Sequence, residues 1–327
     1  MNELLGFPWL QTLSAAALVG SLWVYVLLDG ADLGAGMLCA FQRDAAARHQ
    51  LNLSLLPVWD GNETWLVLAA GGLLGLFPLA YAIILSALYV PVFTLLLALV
   101  ARGMAIEYRH YAPRLFDAML VVGSLLASAS QGVIVGSLIT GIPNDGQQFT
   151  GTGREWLKPF PLFCSMALIT GYCLMGAGWL NWRCSGKVEA RARGIIPWLS
   201  ALTIVLVTGL LLWTLFLHET WRQHLLNPWL WGPLIAVAAA GLVLLWIGLT
   251  RRHGFLPMAA IQILVSCAFA ALAFTLFPFI VPVNLVIQQA AAPVKTQQFL
   301  LICFGLLAPI TLAYNTWAFR VFSGKIH

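Results

Sequence analysis

Charge is what this sequence has least of: Asp, Glu, Lys and Arg make up 9% of its 327 residues, against roughly 25% in an ordinary soluble domain. With 61% hydrophobic residues and a mean hydropathy of +0.88, water cannot be the solvent for most of its surface. At about 20 apolar residues per helical span, the length admits roughly eight to ten spans and short connections. That excludes an appended soluble catalytic domain, and residues 1–327 read as one polytopic membrane domain. A membrane β-barrel is also excluded, because the apolar runs, such as Leu202 to Leu217, carry no charge and none of the alternation that barrels show.

Other absences narrow the chemistry. Cys39, Cys164, Cys173, Cys184, Cys267 and Cys303 form no C-x-x-C pair and read as small buried hydrophobes. There is no phosphate-binding glycine loop, no G-x-S-x-G turn and no H-E-x-x-H motif, so those enzyme classes have no support. The six histidines, at 49, 110, 218, 224, 253 and 327, fall in loops or at span ends. A haem or metal buried in a helix bundle needs ligands inside the spans, so no haem or metal of its own is expected; His218 is the borderline case. Met1-Asn2-Glu3 has no basic cluster, and no small-residue cleavage site precedes Asp29. The first apolar run is therefore expected to be a membrane helix and not a removed signal peptide.

What is there is a succession of apolar runs separated by polar breaks. It gives nine candidate spans, at 9–40, 56–76, 79–101, 118–141, 161–182, 196–217, 230–249, 256–280 and 298–321. The first is long and interrupted by polar residues, and the second carries charge, so hydropathy alone could count eight. With nine spans and the N-terminus outside, thirteen basic residues lie on the inner side: Arg43, Arg48, Arg102, Arg109, Arg114, Arg183, Lys187, Arg191, Arg193, Arg251, Arg252, Arg320 and Lys325. Only Arg154, Lys158, Arg222 and Lys295 lie outside. Omitting the second span would reverse this positive-inside bias. The net charge of +5 thus follows from topology, and no nucleic-acid partner is expected. Trp9, Trp156, Trp221, Trp229 and Trp231 are expected as outer anchors, with Trp182, Trp198 and Trp246 nearer inner ends. Gly30-x-x-x-Gly34, Gly71-x-x-x-Gly75 and Gly132-x-x-x-Gly136 predict close helix packing.

Ionisable residues inside spans are expensive unless paired, hydrated or used. Asp29 and Asp32 are three apart on the first span, and Asp60 and Glu63 are three apart in Trp59-Asp60-Gly61-Asn62-Glu63-Thr64-Trp65. The third span ends in Arg102 with Glu107-Tyr108-Arg109. Convergence of the five acids with Arg102 and Arg109 would make a polar entrance from the inner side, with coupled protonation suited to proton relay. The competing account is structural: Asp60 caps a helix and Arg102 neutralises one acid. The two stand level on these residues alone.

The segment Asp29-Gly30-Ala31-Asp32-Leu33-Gly34-Ala35-Gly36-Met37-Leu38 resembles the D-G-x-D-x-G-x-G-M-L signature of subunit II of cytochrome bd-type quinol oxidases, a family that includes the cyanide-insensitive type. Trp59 to Leu66, Ala70-Gly71-Gly72 and Phe77-Pro78-x-x-Tyr81 resemble its second signature, and Arg102, Glu107-Tyr108-Arg109, Phe277-Pro278-Phe279, Pro282 and Tyr314-x-x-Trp317 extend the match along the chain. The resemblance implies an all-α integral membrane subunit of nine helices, arranged as two four-helix bundles plus one. It also implies a bacterial cytoplasmic membrane location and a partner, subunit I, that holds two b haems, haem d and the quinol site and reduces oxygen to water. It implies a proton path from the cytoplasm on which Asp60 and Glu107 lie, with Asp29, Asp32 and Glu63 beside them and Arg102, Arg109, Asn62 and Trp59 in support. Glu107 replaces the aspartate of some members, one methylene longer. A small single-helix accessory subunit, membrane lipid and a structural quinone belong to the same set of expectations, with no quinone pocket assignable. The competing class is a stand-alone proton-coupled secondary transporter, which broken helices in matching positions of two halves would mark.

Overall fold

The computed structural model describes residues 8–322 and 324–326; the readings of Met1-Asn2-Glu3 and His327 lie outside them. Twelve helices carry the described chain: α1 (Pro8–Leu38), α2 (Ala45–Leu55), α3 (Trp59–Leu76), α4 (Pro78–Glu107), α5 (Pro113–Thr140), α6 (Pro159–Arg183), α7 (Gly186–Thr214), α8 (Glu219–Leu225), α9 (Pro228–Thr250), α10 (Phe255–Leu276), α11 (Ile287–Ala290) and α12 (Val294–Val321). A short hairpin, β1 (Phe279–Val281) with β2 (Leu285–Val286), follows α10 and pairs antiparallel. Besides α1, whose first residue is Pro8, four helices begin on a proline, Pro78, Pro113, Pro159 and Pro228. Proline is pre-set for the first helical position, where its missing N–H has no partner to lose. Inside α4, Pro91 removes a ladder hydrogen bond, and Leu88 leaves the helical region at φ −120° and ψ 24°, a proline kink.

Among the described residues, eight helices are long and apolar enough to cross a membrane: α1, α4, α5, α6, α7, α9, α10 and α12. The segment expected as the second of nine spans forms α3, 18 residues long and hence about 27 Å at 1.5 Å per residue, but it is not among the eight. Asp60, Asn62 and Glu63 in its first two turns keep it out of the apolar set.

The centre of the fold is α1, which packs against α3, α5, α6, α10 and α12. The sequence suggested an interrupted first span, but α1 is continuous through Asp29 and Gly36. Its polar residues are accommodated by packing instead of by breaking the helix: a Cβ at Gly34 would collide with the Tyr172 carbonyl, and one at Gly176 of α6 would collide with the Gly34–Ala35 backbone. Gly132 and Gly136 likewise meet the α6 backbone at Ser165 and Pro161. The expectation for Gly71 fails, since nothing lies near it; the close approaches on α3 are Gly72 to Phe304 and Gly75 to Leu300 of α12.

Both ends of the bundle are tied by side chains on backbone carbonyls. Trp221 was expected at the membrane interface but is fully buried, donating from Nε1 to the Ile139 carbonyl at 3.0 Å. His218 contacts the Thr140 carbonyl at 3.1 Å and His224 the Thr275 carbonyl at 3.0 Å. The segment around α8 thereby covers unpaired carbonyls at the C-termini of α5 and α10. At the other end Arg183 donates to the carbonyls of Gly324 and Phe322, and Lys325 pairs with Glu189.

Candidate functional site: a buried ionic cluster

Helix α1 presents Tyr25, Asp29 and Asp32 to one side, because residues three and four apart share a helical face. Facing them, α3 supplies Asn62 and Glu63, and α4 supplies Arg102. Arg102 is fully buried and donates from Nη1 to Asp29 Oδ1 at 2.7 Å, with Asp29 equally buried. Its Nη2 donates to Glu63 Oε1, and the Glu63 side chain stays 24% exposed. Asn62 donates from Nδ2 to Asp32 Oδ2 at 2.7 Å. The cluster thus runs from a closed interior at Asp32 and Asn62 to a carboxylate with access to the surface at Glu63. One turn before Asp29 on α1 a neutral chain continues: Tyr25 lies beside Asp29, Gln131 donates to the Tyr25 hydroxyl at 2.8 Å, and Tyr172 donates to Gln131 at 2.7 Å.

The expected convergence of all five acids is therefore corrected to three. Asp29, Asp32 and Glu63 gather around Arg102, whereas Asp60 and Glu107 are exposed on this chain. Asp60 sits in the first turn of α3, but the residue capping that helix is Val58, and no side chain caps it. Helical capping therefore does not account for Asp60. Trp59 packs toward Gly103 of α4, and Gly61 lies against Asn315 and Tyr314 of α12, which fixes the rotation of α3 that turns Asn62 inward and Asp60 outward.

Arg109 also leaves the expected cluster. It grips Asp117 with two bonds, Nε to Oδ1 at 2.6 Å and Nη2 to Oδ2 at 3.1 Å. Arg48 donates to the same carboxylate at 2.8 Å, and His49 lies 3.3 Å from Arg109 Nη1. This second cluster ties α2, α4 and α5 together. Sequence reasoning missed Asp117, although an acid a few residues beyond Arg109 and Arg114 was a readable signal. It also missed Tyr25 and Gln131, which the four-residue spacing from Asp29 and a lone amide in an apolar span could have shown.

Among the described residues the histidines sit outside the long spans and offer no axial pair for a haem within the bundle. His218, His224 and His253 each engage backbone groups at helix ends, and His49 lies against Arg109. Among the described residues no three His, Cys, Asp or Glu side chains gather as a metal site. The six cysteines are free thiols, with Cys39, Cys164 and Cys184 buried.

Fold and site together define a multi-pass membrane protein with an ionic cluster inside the bundle. The chain belongs to the cytochrome bd terminal oxidase subunit II family, whose pattern it matches over residues 10–322. It is 26% identical over 368 aligned positions to the cytochrome bd-I ubiquinol oxidase subunit 2 of Escherichia coli K12, covering 99% of this chain and 96% of that protein. It is 31% identical over 185 positions to the cytochrome bd ubiquinol oxidase subunit 2 of Bacillus subtilis, 54% of each chain. The fold is shared with a chain of the bd oxidase structure from Geobacillus thermodenitrificans, at a TM-score of 0.76 and 20% identity, covering 96% of this chain and 99% of that one.

Proposed function

We propose that this chain is the haem-free subunit II of a quinol:oxygen oxidoreductase in a bacterial cytoplasmic membrane, that it scaffolds a haem-bearing subunit I, and that it lines part of a proton route from the cytoplasm. In this reading α3 is a ninth span, the N-terminus is outside, and the helices form two four-helix bundles plus one. The partner supplies the redox chemistry. This chain's residues hold and pass protons: Asp60 and Glu107, exposed on the isolated subunit, receive them near the inner surface, and Glu63, Asp29 and Asp32 form the buried continuation. A small accessory helix, membrane lipid and a structural quinone are further companions in this reading.

The observation that carries it is the Asp29–Arg102–Glu63 bridge. Burying two carboxylates and a guanidinium inside a bundle, with a third carboxylate at its edge, is costly, and a scaffold needs none of them. The transporter reading lacks comparable support, because the non-helical break inside α4 at Leu88 has no counterpart in a second half among the described helices, as paired broken helices would require. Asp60→Asn tests the route. Asparagine keeps the size but has no charge state to exchange near neutral pH, so haem content should be unchanged while turnover per haem falls at least tenfold. Glu107→Gln should act in the same direction, and the double variant should be less than additive. Near-normal turnover per haem in Asp60→Asn would remove Asp60 from the route.

A further inference from the structure

Three carboxylates share the space between α1, α3 and α4 with one guanidinium. Arg102 commits Nη1 to Asp29 and Nη2 to Glu63, and its buried Nε makes no hydrogen bond, so Asp32 has no ion pair of its own among the described residues. Asp32 is 1% exposed, and the one hydrogen bond found at its carboxyl comes from the Asn62 amide at 2.7 Å. An ionised carboxylate so placed, with no cation of its own, is costly enough that such a group neutralises instead.

A second observation does not depend on charge. Asp32 Oδ1 and Asn62 Oδ1 are both buried and both without a hydrogen-bond partner. As two acceptors they cannot bond each other, and the amide cannot be turned round, since that would set its oxygen against Asp32 Oδ2. One proton on Asp32 Oδ1 supplies the donor that both atoms lack. An acid and an amide can pair by reciprocal bonds, N–H to Oδ2 and O–H to the amide oxygen, and the N–H half of that pairing is the bond seen here.

We infer that Asp32 is a proton-binding site, a neutral carboxylic acid paired with the Asn62 amide, while Asp29 and Glu63 carry the negative charge opposite Arg102. The groups facing it are Asp29 on its own helix, Asn62 and Glu63 on α3, and Arg102 on α4. The use of this stored proton in turnover rests on the proposed route, whereas its existence does not.

Infrared spectroscopy of the purified complex at neutral pH reads the proton directly. A carboxylic acid band that shifts in heavy water should be present, and it should move when the complex is grown with carbon-13 aspartate. Asp32→Asn should remove that band with haem content unchanged, because a second amide preserves the pairing with Asn62. Asn62→Ala should keep the band but shift it to higher frequency, the acid carbonyl having lost its N–H donor. An aspartate-labelled wild-type complex with no isotope-sensitive acid band overturns the inference, as does an Asp32→Asn spectrum that superimposes on wild type. A water molecule beside an ionised Asp32 gives the first of these results. Loss of turnover in Asp60→Asn bears on the route and leaves this band unaffected, so the two readings fail separately.

Discussion

Replacing Arg102 by methionine tests whether the buried cluster is held by its one cation. The substitution keeps a long side chain and removes the guanidinium. Asp29, with no solvent exposure, then loses its only cation, while Glu63, 24% exposed, can turn toward water. Removing one partner of a buried pair costs about 3–5 kcal/mol, which is a factor of roughly 150 to 5000 in an equilibrium constant and a large part of a typical stability of about 5–15 kcal/mol. Adding Asp29→Leu to Arg102→Met removes the stranded charge as well, so the double variant should be more stable than Arg102→Met alone. The assay is heating of the purified complex in detergent, followed by size-exclusion chromatography and haem absorbance of what remains assembled. Wild-type thermal resistance in Arg102→Met, or a double variant no better than the single one, would refute the reasoning.

Gly34→Ala should cost about 1–3 kcal/mol through overpacking, because its new Cβ meets the backbone of α6 at Tyr172 and Gly176 and neither can turn aside as a side chain would; Gly71→Ala, with open space around it, should leave the melting temperature within error and serves as the control. Cysteine reporters at Gln147 and Lys187, both exposed, test the proposed topology in a background lacking native cysteines. An impermeant reagent applied to intact cells should label Gln147→Cys and spare Lys187→Cys, and the opposite pattern would invert the orientation.

The helical membrane class was readable from charge scarcity and apolar runs, and the acids and arginine that matter were readable because polar residues inside spans are rare enough to stand out. Their pairing was not readable. Asp60 and Glu63 are three apart, yet a helix turning 100° per residue sets such positions about 60° apart. The rotation imposed by Trp59 on Gly103 and by Gly61 on α12 is enough to send one inward and the other outward. Asp29 and Asp32 share a face in the same way, yet one meets Arg102 and the other Asn62. Arg109 looked like part of the first cluster because it stands with Arg102 and Glu107 at the polar end of the third span. It lies past the end of α4, where the chain has left the helix, and it meets Asp117 instead. Trp221 looked like an interfacial anchor by its position after a span; only the fold of the α8 segment back over α5 buries it. Partner choice across helices depends on rotation and on loop path, and neither has a local sequence signature.

The central claim is that this chain is a haem-free subunit of a haem-bearing oxidase, and a visible spectrum taken on the tagged chain tests it most directly. Purified from cells that also express the partner subunit, the tagged chain should bring with it the absorption bands of haems b and d. Purified from cells lacking that subunit, it should give no pyridine haemochrome signal. Stoichiometric haem on the chain alone, or purification from partner-expressing cells with no haem-bearing subunit attached, would contradict the account.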